Sequence, residues 1–292
     1  MKKLNIIGCG HVGRTLGRLW HRETVFSLGD ILNRTEESGS EAACFIGAGR
    51  AVGELESMGP ADLFLIGTPD DRIAASCERL AGSGLLRPGD LVFHCSGALP
   101  STALVSARQA GAFIGSVHPV KSFAAPEVSV ESFAGTFCGW EGDEGALRIL
   151  RPAFEQIGGK TFTIDPRFKT LYHAAAVMVC NYLTALIEIG AQTYVKAGLE
   201  RETAMQVMEP IVRGTVENIF ASGTVRALTG PIARGDHATV SGQLAALSDW
   251  NPRLAEIYRD LGATALELSH LQGTASPEAL ASLAELLAGR IK

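Results

Sequence analysis

Residues 3–20 read KLNIIGCGHVGRTLGRLW, and this stretch decides the fold. Its apolar first part predicts a short buried strand, and the residues after Gly13 predict a helix. Gly8, Gly10 and Gly13 form a G-x-G-x-x-G turn between the two. The first glycine of such a turn allows a tight bend, the second lets a pyrophosphate approach the backbone, and the third packs helix on strand. In this setting the motif predicts a dinucleotide at the helix N-terminus, beside His11 and Val12. The alternative is a glycine-rich turn that binds nothing.

Composition and charge narrow the class of protein. The chain has 292 residues, enough for two modest domains. A net charge of −5 without a basic block argues against a nucleic-acid partner. The six cysteines include no C-x-x-C pair, so neither a metal site nor a disulfide framework is predicted. Because Met1 stands directly before the first strand, we predict no signal peptide and expect a cytoplasmic protein.

The first half of the chain alternates strands and helices. Apolar runs bounded by turn residues predict further strands, and a helical pattern separates the last two. The predicted strands are 31–33, 43–46, 62–67, 90–95, 112–117, 136–140 and 160–164, and the helix is 143–157. Near-continuous apolar strands are buried on both faces, as in parallel sheets. The prediction is therefore a doubly wound, mostly parallel α/β domain.

The pattern changes after residue 165, where only helical periodicity remains. Helices are predicted at 168–197, 201–220, 240–247, 251–268 and 277–287, with glycines between them. We therefore predict a Rossmann domain over residues 1–165 and an all-helical domain over residues 166–292. The most apolar stretch, Leu171–Ala191, contains His173, Asn181 and Glu188, and this predicts a buried helix rather than a membrane span. We expect this helix to form a homodimer through the helical domain.

The type of cofactor is indicated by the residues after the second strand. An acidic side chain there would bind the ribose 2′-hydroxyl of NAD, but the chain has Asn33, Arg34 and Thr35. A guanidinium and a hydroxyl suit a 2′-phosphate, which favours NADP over NAD. The alternative for Arg34 is a solvated arginine at a helix start.

Two further loops follow predicted strands and are expected to line the nicotinamide ribose and ring. Ligands of open α/β sheets bind outside the carboxyl ends of the strands. These loops contain Thr68, Pro69 and Asp70, and Ser96 and Gly97. The alternative is that Pro69 and Gly97 merely turn the chain.

Several motifs together resemble a known family. They are the N-terminal glycine motif, HCSGA at 94–98, GSVHP at 115–119, KTLYHAAA at 169–176, Asn181-Tyr182, and GPIARGD at 230–236. In this order they resemble the Rossmann-like proteins with a C-terminal DUF2520 domain. These are part of the clan of ketopantoate reductases, F420-dependent NADP oxidoreductases, 3-hydroxyisobutyrate dehydrogenases and pyrroline-carboxylate reductases. The resemblance covers almost the whole chain and implies a nicotinamide-dependent oxidoreductase more than a particular substrate.

The resemblance also directs attention to the first helix after the sheet. In ketopantoate reductases and hydroxyacid dehydrogenases, a lysine there donates the proton and an asparagine follows one turn later. Here the helix offers Lys169, His173 and Asn181. Lys169 and His173 are four residues apart and share a face. Asn181 lies about 12 Å beyond His173 along a helix, so the two cannot both hold one carbonyl group.

His173 is the predicted proton donor, with a core histidine bonded to a backbone carbonyl as the alternative. Asn181 lies in an apolar run, where an unpaired amide is costly, so a substrate or structural partner is predicted. Lys169 is a further catalytic candidate, or a solvated lysine near a hinge. Ser96 is included among the catalytic candidates because of its position after a strand.

Substrate-binding candidates come from two places. His118 ends a strand before Pro119, and Lys121 and Ser122 follow it as potential ligands of an anionic group. Arg234 is suited to bind a carboxylate or phosphate bidentately, with an ion pair to Asp236 as the alternative. Asp236 is the second substrate-binding candidate of this loop, and it is also placed to cap the next helix.

The resulting prediction is an NADP-dependent reductase of a small 2-oxo acid, ketopantoate-like, with a small molecule as its partner. A cyclic imine is an alternative substrate for the same scaffold. Few carboxylates are available to bind a basic substrate, which favours the oxo acid. A third alternative is a non-catalytic dinucleotide-binding redox sensor.

Overall fold

The computed structural model describes residues 1–289, which form two compact units. The first unit, Met1–Asn181, contains one sheet of eight strands. The strands are β1 Lys3–Ile7, β2 Ser27–Leu32, β3 Arg50–Val52, β4 Leu63–Ile66, β5 Leu91–His94, β6 Phe113–Pro119, β7 Phe137–Gly142 and β8 Lys160–Thr163. The helices among them are α1 His11–Arg22, α2 Glu36–Ile46, α3 Asp70–Gly82, α4 Val105–Gln109, α5 Pro126–Glu131 and α6 Glu144–Gln156.

The sheet has the order β3-β2-β1-β4-β5-β6-β7-β8. The first six strands in this order are parallel, β7 runs antiparallel to β6, and β8 is parallel to β7. The chain therefore starts in the middle of the sheet and winds outward in both directions. This confirms the predicted doubly wound, mostly parallel α/β fold. The loops after β1, β4, β5 and β6 share one edge because these strands are parallel neighbours.

Both faces of the sheet are covered by helices. Along β4, Leu63 and Leu65 face one apolar cluster while Phe64 and Ile66 face the other. The first cluster includes Trp20 of α1, which is fully buried. Side chains of a strand alternate between faces, so a four-residue apolar run fills both cores at once.

One predicted strand is wrong. Residues 43–46 are apolar, but they form the last turn of α2. The hydroxyl of Thr35 accepts a hydrogen bond from Ser38 N and caps the start of this helix. Gly47 ends it in the left-handed conformation, with φ of 84°. The cap and the glycine fix the helix, so the apolar run forms its inward face, and the third strand follows at Arg50–Val52.

The second unit, Tyr182–Lys292, is helical over the residues that the structure describes. The long helix α7 Lys169–Lys196 begins in the first unit and ends in the second. The others are α8 Arg201–Ser222, α9 Thr224–Ala227, α10 His237–Trp250, α11 Pro252–Gln272 and α12 Pro277–Leu287. The all-helical character predicted after residue 165 is confirmed. The two-unit division falls within α7, and the predicted domain boundary at residue 165 stays a prediction.

The prediction that Leu171–Ala191 is buried is wrong. The most apolar 18-residue window of segment Pro166–Lys196 has a mean hydropathy of 1.6, yet only 6% of that window is buried. Its length and composition would suffice to cross a membrane, which alone is weak evidence for a span. Exposed apolar side chains include Leu171, Met178, Val179 and Leu186. The periodicity predicted an apolar helix correctly. It could not show whether other residues of this chain cover that helix.

Candidate active site

The glycine turn has the geometry that its sequence predicted. At Gly8, with φ of +85°, a Cβ atom would lie 2.6 Å from Thr68 N, so only glycine fits. At Gly10 a Cβ atom would meet no other atom within 4 Å, and at Gly13 it would lie 3.2 Å from Cys9 Sγ. The turn is thus tight at its first glycine, open at its second and packed at its third.

The start of α1 is free to bind an anion. No side chain caps this helix, and its first turn contains no acidic residue. First-turn amides have no acceptor within their own helix, and the helix dipole adds positive potential. His11 leads the helix, and its Nδ1 lies 2.8 Å from the carbonyl oxygen of Phe123 in the loop after β6. Val12 is half-buried beside it.

Of the three residues that follow β2, two are held by the protein itself. Asn33 Oδ1 accepts a hydrogen bond of 2.5 Å from Cys9 N, and its amide donates to Ser38. Thr35 caps α2. Arg34 is exposed. Asp30 lies within β2 and is buried against Arg50 and Gly59 N, so this carboxylate is occupied by the protein.

The loops after β4 and β5 are joined by a hydrogen bond. Ser96 Oγ donates to Asp70 Oδ2 over 2.7 Å and accepts from the backbone of Ala98 and Leu99. The hydroxyl of Ser96 therefore organises the loop that contains Gly97. Thr68 Oγ1 is buried and has no hydrogen-bond partner among residues 1–289. Pro69 precedes α3 as its N-cap residue.

A row of buried polar side chains crosses the sheet beneath this edge. His94 of β5 stands opposite Ser116 of β6, which stands opposite Glu141 of β7. Ser116 Oγ lies 3.3 Å from His94 Nδ1. Glu141 accepts hydrogen bonds of 2.7 Å from both the backbone and the hydroxyl of Ser101. These side chains are at most 4% exposed, so each depends on its partners.

Lys169, the first residue of α7, completes this row. Its Nζ is fully buried, lies 3.1 Å from Glu141 Oε1 and donates to Ser116 Oγ. Burial lowers the pKa of Lys169, and the carboxylate of Glu141 opposes that shift. We refer to His94, Ser116, Glu141 and Lys169 as the polar row. The alternative of a solvated lysine is excluded by this burial.

Two imidazoles converge above Gly97. A Cβ atom on Gly97 would lie 2.5 Å from Nδ1 of His173 and 2.8 Å from Nε2 of His118. The two ring centroids are 5.8 Å apart, with planes at 79°. Nδ1 of His173 is buried without a hydrogen-bond partner in the described part of the chain. This nitrogen is therefore not bonded to a backbone carbonyl of the described chain, as the alternative of a core histidine would require.

The electrostatics of the site favour neutral rings at His118 and His94. Burial, followed by the charges of His173 and Lys169, lowers the pKa of His118 to about 4. Burial and the nearby Lys169 lower the pKa of His94 to about 3. Tyr172 Oη lies 2.9 Å from His118 Nδ1, and burial raises the pKa of this phenol to about 12. A neutral His118 that contacts a protonated phenol is the resulting state at neutral pH.

In the first unit, three further predicted residues are not part of this cluster. Asn181 is exposed, so the premise that its amide is buried is wrong. Lys121 is half-buried and Ser122 exposed in the loop after β6. In the second unit, Asp236 caps α10 by accepting hydrogen bonds from Thr239, which confirms its predicted structural role. Arg234 is exposed.

Glu141 and Tyr172 were missed as functional candidates by the sequence analysis. Glu141 is the one charged side chain of β7, and a charge inside a buried strand requires a partner. The sequence contains that signal, but the signal does not identify Lys169 as the partner. Tyr172 stood inside a recognised motif, yet its contact with His118 spans 54 positions along the chain. Among residues 1–289, no group of three His, Cys, Asp or Glu side chains is placed to hold a metal ion.

Sheet order, glycine turn and a helical second unit define the class: a Rossmann-fold protein with a helical C-terminal part. A Rossmann-like family matches residues 2–119. A second family, described as a domain of unknown function (DUF2520), matches residues 136–265. The chain thus contains a Rossmann-like domain and a DUF2520 domain, as the resemblance predicted.

Solved structures share this fold over nearly the whole chain. Protein TM1727 from Thermotoga maritima is 26% identical, with a TM-score of 0.73 over 92% of this chain and 99% of that one. A Bacteroides fragilis protein provisionally named an NADP oxidoreductase is 21% identical, with a TM-score of 0.72 over 90% and 97%. A 1-pyrroline-5-carboxylate reductase from Streptococcus pyogenes is 16% identical, with a TM-score of 0.59 over 92% and 98%. A search of curated proteins found no significant match.

Proposed function

We propose that this chain is an NADP-dependent reductase of a small carbonyl compound, with a 2-oxo acid of the ketopantoate type as the leading substrate. One observation carries the proposal. The open glycine turn and Gly97 lie in loops on the same edge of the sheet, and the unpartnered imidazole of His173, from α7, lies against Gly97. That edge is where open α/β sheets bind their ligands. The activities named for the structural relatives, including an NADP oxidoreductase, agree with this proposal.

The glycine turn fits a dinucleotide. The open side of Gly10 leaves room for a pyrophosphate, and the uncapped amides of α1 would bind it. We expect Gly10→Ala to weaken NADPH binding at least tenfold, because the methyl group would occupy that room. Gly82→Ala is the matched control, since a Cβ atom there also meets nothing within 4 Å. Fluorescence titration with NADPH measures both. Equal affinity of the two variants would contradict cofactor binding at this turn.

The preference for NADP rests on Arg34, which is exposed after β2 while its neighbours Asn33 and Thr35 are engaged. A guanidinium there suits a 2′-phosphate. We expect Arg34→Ala to weaken NADPH binding at least tenfold and to leave NADH binding unchanged. A parallel loss for both cofactors would contradict this assignment.

The chemistry proposed for the site is proton delivery to a carbonyl oxygen. A bound reduced nicotinamide would supply the hydride that a carbonyl carbon needs. His173 then gives a proton from Nδ1 to the oxygen, which becomes a hydroxyl, and the ring is left neutral. The absence of a partner for Nδ1 among the described residues leaves this nitrogen available to a substrate oxygen. In this proposal Lys169 does not contact the substrate, because its Nζ is fully buried. Its role is to hold the other side chains of the polar row in place.

A screen of 2-oxo acids, ketopantoate first, tests the activity by the absorbance of NADPH. We expect His173→Asn to lower kcat by about 10² to 10⁴, the range of general acid catalysis, and to leave the NADPH affinity unchanged. Tight NADPH binding without reduction of any oxo acid or imine would favour the redox sensor instead.

We also propose a homodimer formed through α7. Its exposed apolar side chains recur at helical spacing, at Leu171, Val179, Leu183 and Leu186 among others. An exposed stripe of this kind is typical of an interface. Light scattering of wild type at micromolar concentration should give twice the chain mass of 30.8 kDa. Leu186→Glu should give the single chain mass, and a monomeric wild type would contradict the proposal.

A further inference from the structure

The contact between Tyr172 and His118 determines which nitrogen of the histidine has the proton. Tyr172 Oη and His118 Nδ1 are 2.9 Å apart, with perpendicular rings, and either group could donate. Nδ1 is the only hydrogen-bond partner that residues 1–289 give the phenol. If the imidazole donated, the phenol proton would have no acceptor in a half-buried place, which is costly. The phenol therefore donates to Nδ1, and the neutral ring has its proton on Nε2.

The protonated nitrogen of His118 lies close to the unpartnered nitrogen of His173. Nε2 of His118 and Nδ1 of His173 lie 2.8 and 2.5 Å from the same point, the position of a Cβ atom on Gly97. The two nitrogens are therefore at most about 5.3 Å apart, close enough for one oxygen atom to contact both, and a side chain at position 97 would crowd both of them. One nitrogen is a donor, and the other is a buried nitrogen without a partner in the described chain.

We infer that Tyr172 is a positioning residue that holds His118 as an Nε2–H donor, so that His118 and His173 together receive one substrate oxygen. This inference rests on the proposed function, because it assigns the oxygen to the substrate of that reaction. His118 polarises the carbonyl as a neutral donor, and His173 exchanges the proton with it. After reduction the new hydroxyl accepts from His118 Nε2 and donates to His173 Nδ1.

The same arrangement separates two substrate classes. A carbonyl oxygen accepts hydrogen bonds and suits the fixed donor of His118. The nitrogen of a protonated cyclic imine can only donate, so it could contact an unprotonated His173 Nδ1 but would oppose the donor of His118, whereas a carbonyl oxygen can contact both nitrogens. The site therefore favours a 2-oxo acid over a cyclic imine.

The tautomer of His118 tests the inference without any ligand. Long-range ¹H–¹⁵N NMR of histidine-labelled protein distinguishes the protonated nitrogen from the bare one, and His118→Asn identifies the signals among the seven histidines. We expect Nε2–H in the wild type, with a preference of about fivefold from one hydrogen bond. Tyr172→Phe should lower the ratio of Nε2–H to Nδ1–H by about fivefold, the contribution of that hydrogen bond, because the imidazole alone already favours Nε2–H. An Nδ1–H tautomer in the wild type, or no change in Tyr172→Phe, would overturn the inference.

Phe162→Leu is the matched control. Phe162 packs 6.1 Å from the Tyr172 ring, so this variant loosens the packing and keeps the hydroxyl. We expect its His118 tautomer to match the wild type, and loss of the preference there would assign the effect to packing and overturn the inference. Preferential reduction of 1-pyrroline-2-carboxylate over a 2-oxo acid would overturn the substrate class. A protein that reduces neither but shows Nε2–H contradicts the proposed function and leaves the assignment of Tyr172 supported.

Discussion

Replacing Lys169 by Met tests whether the polar row anchors the site. Methionine has nearly the length of lysine but lacks the charge, so the change removes one ion pair and one hydrogen bond. The carboxylate of Glu141, 4% exposed, keeps two hydrogen bonds from Ser101 but loses its cation. Ser116 loses its donor. The consequence is a buried negative charge without a counter-ion.

The magnitude follows from that isolation. Removing one partner of a buried ion pair costs about 3–5 kcal/mol. Because Ser101 still donates two hydrogen bonds to Glu141, we expect the lower end, about 3 kcal/mol. With a urea m-value of about 2 kcal/mol per molar, the unfolding midpoint of the first unit should fall by about 1.5 M. Glu141→Gln in the same chain removes the orphaned charge, so the double variant should recover at least about 1 kcal/mol.

Tryptophan fluorescence in urea is the assay, in a Trp250→Phe background. Trp20 and Trp140 lie in the first unit and Trp250 in the second, so this background reports the first unit alone. The four proteins of the Lys169 and Glu141 cycle are compared at pH 7.5. A loss below about 1 kcal/mol for Lys169→Met, or a coupling energy near zero, would refute the anchoring role.

Three further predictions concern glycines and pH. Gly8→Ala should destabilise the first unit by about 1–3 kcal/mol in urea, because its φ is positive and its methyl group would meet Thr68 N; equal stability to Gly10→Ala would contradict this. Gly97→Ala should lower reductase activity about 100-fold with unchanged NADPH affinity, because the methyl group would occupy the point between the imidazoles. The unfolding free energy should fall as the pH decreases from about 6.5 towards 4 and then 3, since the unfolded chain binds protons that neutral His118 and His94 do not. His118→Asn should reduce this loss by up to about 3 kcal/mol, and an unchanged slope would contradict the burial of a neutral ring.

Much of the first unit was predictable because local and global signals agree there. The strand, turn and helix of residues 3–22 are fixed by apolar runs and by Gly8, whose positive φ and close contact with Thr68 exclude a side chain. The run 43–46 shows where this fails. Its four residues suit a strand as well as a helix, and the helix forms because a cap at Thr35 and a left-handed glycine at Gly47 bound it. For short apolar runs, the flanking residues decide between a strand and a helix.

The sequence predicted where the residues of the candidate site lie, but not which side chains they contact. Strand ends gave Ser96, Gly97 and His118, because ligand loops of such sheets follow strands. What these residues touch depends on register. His118 contacts Tyr172 only because α7 returns over β6, and no local pattern contains that return.

The polar row explains why Lys169 occupies a place where the resemblance predicted a catalytic lysine. A buried ion pair contributes little net stability compared with apolar residues, so stability alone does not account for it. The ion pair instead fixes where α7 begins. Glu141 stands opposite Ser116 in the sheet, and Lys169 contacts both only when it is the first residue of α7 beside them. Tyr172 and His173 follow three and four residues later, within one turn. The row thus fixes the start of the helix against the sheet, and with it the two rings that meet His118, which is why a stability measurement on Lys169 also tests the architecture of the site.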